Sequence, residues 1–315
     1  MTRKKEFLQA LEKNILLFDG AMGTEIQKFN PKPEDFPDGK DGFNDGLVIT
    51  KPDWIKKIHK SYLEAGADCI ETNSFGSNKI KLDEYGFGDN TVEFNKKIAE
   101  LAVEVASEFT DKPRYVVGSM GPTGFLPSSN DADLGQKPLK EIRESFELQA
   151  EGLILGGVDA LLIETSQDIL EVKLAIEACH NAIKKTGKKV SIIANTTLDK
   201  YGKMLLGTNI QAAYTTVSDM GIDIFGLNCS TGPIEMTPSV RWLNEQDQLR
   251  LLVVPNAGMP ENVGGQAHYK MTPDDLAKTL NDFISEYGKI GIIGGCCGTT
   301  PEHIKALRKV IDEKA

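Results

Sequence analysis

Short apolar runs rich in Ile and Val recur along this 315-residue chain, each separated from the next by a longer stretch of helical period. The runs are "ILLF" (15–18), "DCIETN" (68–73), "YVVGSM" (115–120), "ALLIET" (160–165), "VSIIANT" (190–196), "IDIFGLN" (222–228), "LLVVPN" (251–256) and "IGIIGG" (290–295). Strands that are apolar almost throughout, with helices between them, belong to a parallel sheet covered by those helices. Three helix-to-strand passages share one grammar, "EAGADCIETN", "LGGVDALLIET" and "DMGIDIFGLN". A glycine near the helix end followed by a short turn accounts for it. Eight such strands and a last helix from Pro301 predict an α/β chain folded as a single-domain (β/α)8 TIM barrel over 1–315, with an N-terminal helix. A doubly wound open sheet would show a Gly-rich dinucleotide turn after the first strand, and "FDGAMGTEI" lacks that spacing. The irregular stretch 29–46 is read as a loop at the barrel mouth.

A net charge of −10 argues against nucleic acid or an anionic membrane as partner. No signal-peptide core or membrane-length apolar run occurs, so a cytoplasmic location is expected. Five cysteines form an odd, sparse set unlike a secreted disulfide framework. Reduced thiols are therefore expected.

Barrel chemistry collects at the C-terminal strand ends. Those ends read Asp19-Gly20-Ala21, Glu71-Thr72-Asn73-Ser74, Gly121-Pro122-Thr123-Gly124, Glu164-Thr165, Asn195-Thr196-Thr197, Asn228-Cys229, Asn256-Ala257-Gly258 and Cys296-Cys297. Cys229 closes the sixth strand and the pair closes the eighth, about 9–10 Å apart across the seventh by ordinary strand spacing. Neighbouring residues of a strand point to opposite faces, so both thiols of the pair share a target only if the backbone leaves strand geometry. Gly294, Gly295 and Gly298 are expected to supply that freedom. A vicinal disulfide or a buried apolar pair are the competing readings. Three thiolates with one open position suit Zn²⁺ in tetrahedral coordination. So electron-rich a metal suits activation of a substrate thiol better than attack by water. His59, His180, His268 and His303 are read as surface or core residues, and Cys69 and Cys179 as small core hydrophobes.

"LLFDGAMGTEIQ", "IETNSFGSN", "GSMGPTG", "LLIETSQD", "FGLNCSTGP", "VPNAGMP" and "GGCCGTTPEHI" together resemble the homocysteine S-methyltransferase family, from about residue 14 to the end of the chain. Within the family, the likeness is strongest to the N-terminal homocysteine-binding module of cobalamin-dependent methionine synthases. The resemblance implies a (β/α)8 barrel with zinc on Cys229, Cys296 and Cys297 that methylates L-homocysteine to L-methionine. It implies that Glu164 pairs with the substrate ammonium and that Asp19 assists. The Gly20 and Ala21 amides would receive the carboxylate, and Thr72, Asn73 and Ser74 would line the pocket. Asn256, between the cysteine-bearing strands, is expected to approach the zinc through its side-chain oxygen when no thiol is bound. The loop "TLDKYGKMLLGTN" (197–209) should pack around the mouth.

No D-x-H-x-x-G corrinoid motif occurs, and no folate- or cobalamin-binding domain is expected within the chain. The implied methyl donor is a methylcorrinoid such as methylcobalamin, carried by a separate corrinoid protein or module. No protein general base is needed once the metal has taken the proton's place. S-methylmethionine or another small donor is the alternative; for betaine, Gly76 and Ser77 after Phe75 offer little of an aromatic cage. A non-catalytic zinc- or thiol-binding barrel, and a phosphate-binding barrel using the Gly-rich eighth turn, are the remaining readings.

Overall fold

A computed structural model of the chain describes residues 3–246, 248–263 and 266–314. Eight parallel strands form the barrel: β1 (Leu16–Leu17), β2 (Cys69–Glu71), β3 (Tyr115–Met120), β4 (Ala160–Ile163), β5 (Ser191–Thr196), β6 (Ile224–Asn228), β7 (Arg250–Val254) and β10 (Ile290–Ile293). Between β7 and β10 lies an antiparallel hairpin, β8 (Glu261–Val263) with β9 (Gln266–His268). The strand order is β1-β10-β7-β6-β5-β4-β3-β2. Phe18 bridges to Cys69, and the Asp68 N–H donates to Leu17 O at 2.7 Å, which brings β1 alongside β2. The predicted single-domain (β/α)8 barrel is therefore the fold. Most predicted strands are trimmed by one or two residues where the chain turns into the rim, and the hairpin was not foreseen.

Side-chain alternation sorts the strands into two cores. Leu17, Ile70, Val116, Leu161, Phe225 and Val253 face the helices, while Leu16, Phe18, Cys69, Val117, Leu162, Ile193, Ile224, Leu252 and Ile292 fill the barrel. Helix α1 (Arg3–Lys13) closes the bottom by inserting Phe7 and Leu11 into the inner core, with Phe7 edge-on to Tyr115 at 5.2 Å. Cys69 and Cys179 are buried free thiols, as expected.

The repeated grammar has a physical reason. Gly66, Gly157 and Gly221 all have positive φ, at 104°, 99° and 76°, where a β-carbon would be strained. The aspartate two positions on, Asp68, Asp159 or Asp223, accepts the N–H of Leu17, Val116 or Ile192 on the preceding strand at 2.9 Å. Each thus pins the floor of an even strand to its odd neighbour. Arg3 and Lys4 of α1 pair with Asp159 and Asp223, and Lys112 and Arg308 pair with Asp68. No helix among the described residues is long and apolar enough to cross a membrane.

Candidate metal centre

The inward parity that packs Cys69, Val117, Leu162, Ile224, Val254 and Ile292 in the barrel continues upward to Glu71, Ser119, Glu164, Asn228, Asn256 and Cys296. The top interior layer is therefore polar, resting on an apolar plug. Cys229 follows β6 in the left-handed region at φ 59°, as do Thr165 at 58° after β4 and Ser230 at 62°. For a β-branched residue such as Thr165 this is strained, and such strain persists only where surrounding bonds over-determine it. Asn228 supplies them: its Oδ1 accepts the Thr165 N–H at 3.0 Å, and its Nδ2 donates to Thr165 Oγ1 at 2.8 Å and Glu164 Oε2 at 3.1 Å.

The turn after β10 brings its two cysteines to the one beyond β6. Cys229 Sγ lies 3.9 Å from Cys297 Sγ, and Cys296 Sγ 4.0 Å from Cys297 Sγ, with all three sulfurs within 4.8 Å of one another. Tetrahedral coordination with Zn–S near 2.3 Å requires sulfurs about 3.8 Å apart. The three sulfurs could hold a metal ion of that size with little movement. All five cysteines are free, so the vicinal disulfide is not formed. Of the glycines around the pair, only Gly298 has positive φ, at 80°. Gly294 and Gly295 act by lacking bulk, since a β-carbon would lie 2.7 Å from Phe18 Cβ and 2.5 Å from Thr299 side-chain atoms. The expected role of all three in φ freedom is thus corrected to one of conformation and two of space.

Four amides of this turn are engaged within the protein. Gly295 N–H donates to Asp19 O, Cys296 to Pro255 O, Cys297 to Asn256 Oδ1 at 3.1 Å and Thr299 to Cys296 O. A phosphate cradle needs such amides directed at the ligand, and these four are directed elsewhere. Asn256, buried, thus already holds its oxygen at the Cys297 amide.

Without metal, the sulfurs share protons unequally. Hydrogen bonds from Cys229 and Cys296 pull the Cys297 thiol down to about 3. Contacts with Cys229 and then Cys297, together with burial, push Cys296 well up. At Cys229 the Cys296 contact lowers, but the Cys297 contact and burial prevail and lift it to about 12.

Beside the sulfurs lie three carboxylates, Asp19, Glu71 and Glu164. Asp19 Oδ2 accepts the Glu71 N–H at 3.0 Å; Glu71 hydrogen-bonds Glu164; and Ser119 Oγ donates to Glu164 Oε1. Burial raises Glu164 to about 7, with the Cys297 thiolate adding to it. Burial and the charge of Glu164 raise Asp19 and Glu71 well above the carboxylate range. A pocket holding this much suppressed negative charge suits a cation such as an ammonium group.

Several predicted pocket groups turn out to be engaged internally. Thr72 Oγ1 and Ser74 Oγ bond each other at 2.6 Å and reach the Ser119 backbone, while Asn73 Nδ2 donates to Asn44 O. They brace β2 against β3 and the 29–46 loop, which does pack at the mouth through buried Phe36 and Phe43. The Ala21 N–H donates to Thr299 Oγ1 at 3.2 Å. The 197–209 loop is anchored by buried Leu198 and Met204, yet presents Tyr201 and Leu205 to solvent. Glu71 and Asn228 were placed at strand ends without a role, and Ser119 and Thr299 were missed; strand parity would have picked Glu71, Asn228 and Ser119. Of the histidines, His59 is buried, His180 exposed, and His303 accepts the Thr300 N–H through Nδ1.

The sequence matches a family model described as homocysteine S-methyltransferase over residues 16–311. Methionine synthases of Mycobacterium tuberculosis and Mycobacterium leprae are 40% and 39% identical to it over 308 residues, 97% of this chain and 25% of each relative. The chain thus spans about a quarter of the length of these relatives. In fold it is similar to the metallated form of the homocysteine methyltransferase MmuM from Escherichia coli, with a TM-score of 0.77 at 22% identity over 98% of this chain and 99% of that one.

Proposed function

The chain belongs to the homocysteine S-methyltransferase family, and from that premise we propose that it is the homocysteine-binding barrel of a zinc-dependent methyl transfer giving L-methionine. The observation that carries this reading is the trio of sulfurs within 4.8 Å of one another beside three carboxylates, Asp19 and Glu164 buried and Glu71 half-buried. Cys229, Cys296 and Cys297 would hold the metal. Bound there, zinc lowers the pKa of a fourth, substrate thiol from about 8.5, so that it is thiolate at neutral pH.

The chain's own residues do the rest. Glu164, oriented by Ser119 and Asn228, receives the ammonium and ionises as that charge arrives. Asp19 and Glu71 complete the cationic subsite. The Gly20 amide, with the Ala21 amide once Thr299 turns from it, receives the carboxylate. Thr72, Asn73 and Ser74 fix the wall behind these groups. The substrate sulfur then forms a bond to the donor's methyl carbon as the donor's bond to that carbon breaks, the electron pair leaving with the donor. The product is a neutral thioether, a weaker ligand than thiolate, which favours release. We further propose that Asn256 turns its oxygen toward the metal when no thiol is bound. A substrate-free, metal-loaded crystal structure with that oxygen still on the Cys297 amide would refute it.

The 40% identity to methionine synthases supports a methylcorrinoid donor, carried by a separate protein or a further module. The free cysteines fit a reducing compartment such as the cytoplasm. The test is methionine formation by zinc-loaded protein from homocysteine with methylcobalamin, S-methylmethionine or betaine. Turnover with methylcobalamin is expected. Turnover only with S-methylmethionine would move the chain to the small-donor group. Homocysteine binding without methionine from any donor would overturn the enzymatic reading.

A further inference from the structure

One buried phenol lies between the turn after β1, Gly20-Ala21, and the turn after β10 that carries two of the sulfurs. Tyr62, on the helix Pro52–Glu64, is wholly buried, and its hydroxyl donates to Ala21 O at 2.9 Å and to Thr299 O at 3.3 Å. One proton is thus shared between carbonyls of the two turns. The ring lies against Gly20, where a β-carbon would come 2.9 Å from Tyr62 Cε1 and 2.7 Å from Thr299 Oγ1. Thr299 is itself fixed to a sulfur-bearing residue, since its N–H and its hydroxyl both donate to Cys296 O, at 3.1 and 2.7 Å. Past the bond from the Gly295 N–H to Asp19 O, the two turns are joined through the hydroxyls of Tyr62 and Thr299. Burial pushes the Tyr62 phenol well above its ordinary value, so the hydroxyl keeps its proton and stays a donor.

We infer that Tyr62 is a positioning residue that fixes the span between these two turns, and so selects an amino acid with its thiol on the γ-carbon over one with its thiol on the β-carbon. This rests on the function proposed above, in which the substrate sulfur meets a metal on the cysteines and the carboxylate meets the Gly20 and Ala21 amides. A ligand held at both ends must match the separation of its anchors, and cysteine is one methylene shorter than homocysteine. Loose anchors would adjust to either thiol, whereas fixed anchors favour the length that fits. The Ala21 N–H now on Thr299 Oγ1 is one the carboxylate would take, so that link gives way on binding. Tyr62 instead holds carbonyl oxygens, for which an anionic carboxylate does not compete. Its bracket therefore persists in the occupied site.

The test uses the full chain and its Tyr62→Phe variant, each loaded with Co²⁺, whose absorption changes when a further thiolate joins the metal. Titrations with L-homocysteine, L-cysteine and 2-mercaptoethanol give three spectral midpoints. The variant keeps the ring against Gly20 and loses only the hydroxyl. Its homocysteine midpoint should rise roughly two- to tenfold, the factor a single hydrogen bond commands, while the other two move by less than about twofold. The preference for the longer amino acid then narrows. Homocysteine and cysteine midpoints that stay put, or shift by a common factor, would overturn the inference. So would a 2-mercaptoethanol midpoint that moves with that of homocysteine, since the effect would then lie at the metal. Phe7→Ala, altered only at the barrel floor, should leave the preference unchanged; an equal narrowing there would make lost stability the cause and overturn the inference too. Wild-type protein that binds homocysteine no more tightly than 2-mercaptoethanol would overturn the amino-acid anchor itself, a failure seen without any variant and distinct from that of Tyr62.

Discussion

Of the three rim sulfurs, Cys297 lies within 4.0 Å of both others. Replacing it should cost more than one ligand's share. Cys297→Ser is expected to lose zinc and methyl transfer together, measured by metal content and methionine formation. Activity without metal in that variant would refute the mechanism. Glu164 is expected to act on binding: Glu164→Gln keeps the bonds to Ser119 and Asn228 but removes the charge. Losing a charge-assisted contact of about 1.5–3 kcal/mol should raise the KM for homocysteine roughly 10- to 100-fold. Zinc content should not change, and a KM unchanged within twofold would move the ammonium site elsewhere. Asn228 shows how one side chain serves two ends, steadying strained Thr165 with one amide edge and aiming Glu164 with the other.

Among the elements, α1 carries a role its position alone would not suggest, since its Phe7 is wholly buried inside the barrel against Tyr115. Phe7→Ala should destabilise the protein by about 3–5 kcal/mol in denaturant titration, while zinc content stays at the wild-type value. Loss of metal in step with stability would show that floor and rim are not independent. The strands were legible in the sequence because parallel strands covered on one side and plugged on the other are apolar at most positions below the polar rim. The sulfur site was legible because a barrel gathers strand ends, and Cys229, Cys296 and Cys297 are its only rim cysteines. What stayed hidden was direction and distance. Thr72, Asn73 and Ser74 sit at a strand end as expected, yet bond inward to β3 and the 29–46 loop, whereas parity turns Glu71 to the pocket. The β8–β9 hairpin lies in a segment without strand periodicity, so the sequence does not announce it.

Across the whole molecule, buried carboxyl groups away from the sulfurs set a pH response. Burial lifts Asp45 and Glu171 each to about 7. Glu171 lies beneath the loop after β3, where its Oε1 accepts the Thr123 N–H at 2.9 Å and the Thr123 hydroxyl at 2.6 Å. The folded chain keeps protons on these groups that the unfolded chain releases near pH 4. Their contribution is therefore complete below about pH 4 and is lost as pH rises through 7. The melting temperature should fall between pH 5 and 8, and the fall should flatten in an Asp45→Asn, Glu171→Gln variant. A variant curve parallel to the wild type would place the titration elsewhere.

The sulfur ligands come from β6 and β10, which are not neighbours, for β7 lies between them. A cation held by Cys229, Cys296 and Cys297 would be a removable cross-link as well as a chemical centre, tying positions far apart in the chain across an intervening strand. It would span the side of the sheet where the pairing of β10 with β7 slips register between Ile290 and Ile292. In polymer terms, the metal closes a long loop that the unfolded chain must otherwise keep open. Chelation should then lower the melting temperature by several degrees and raise amide hydrogen exchange first along β10.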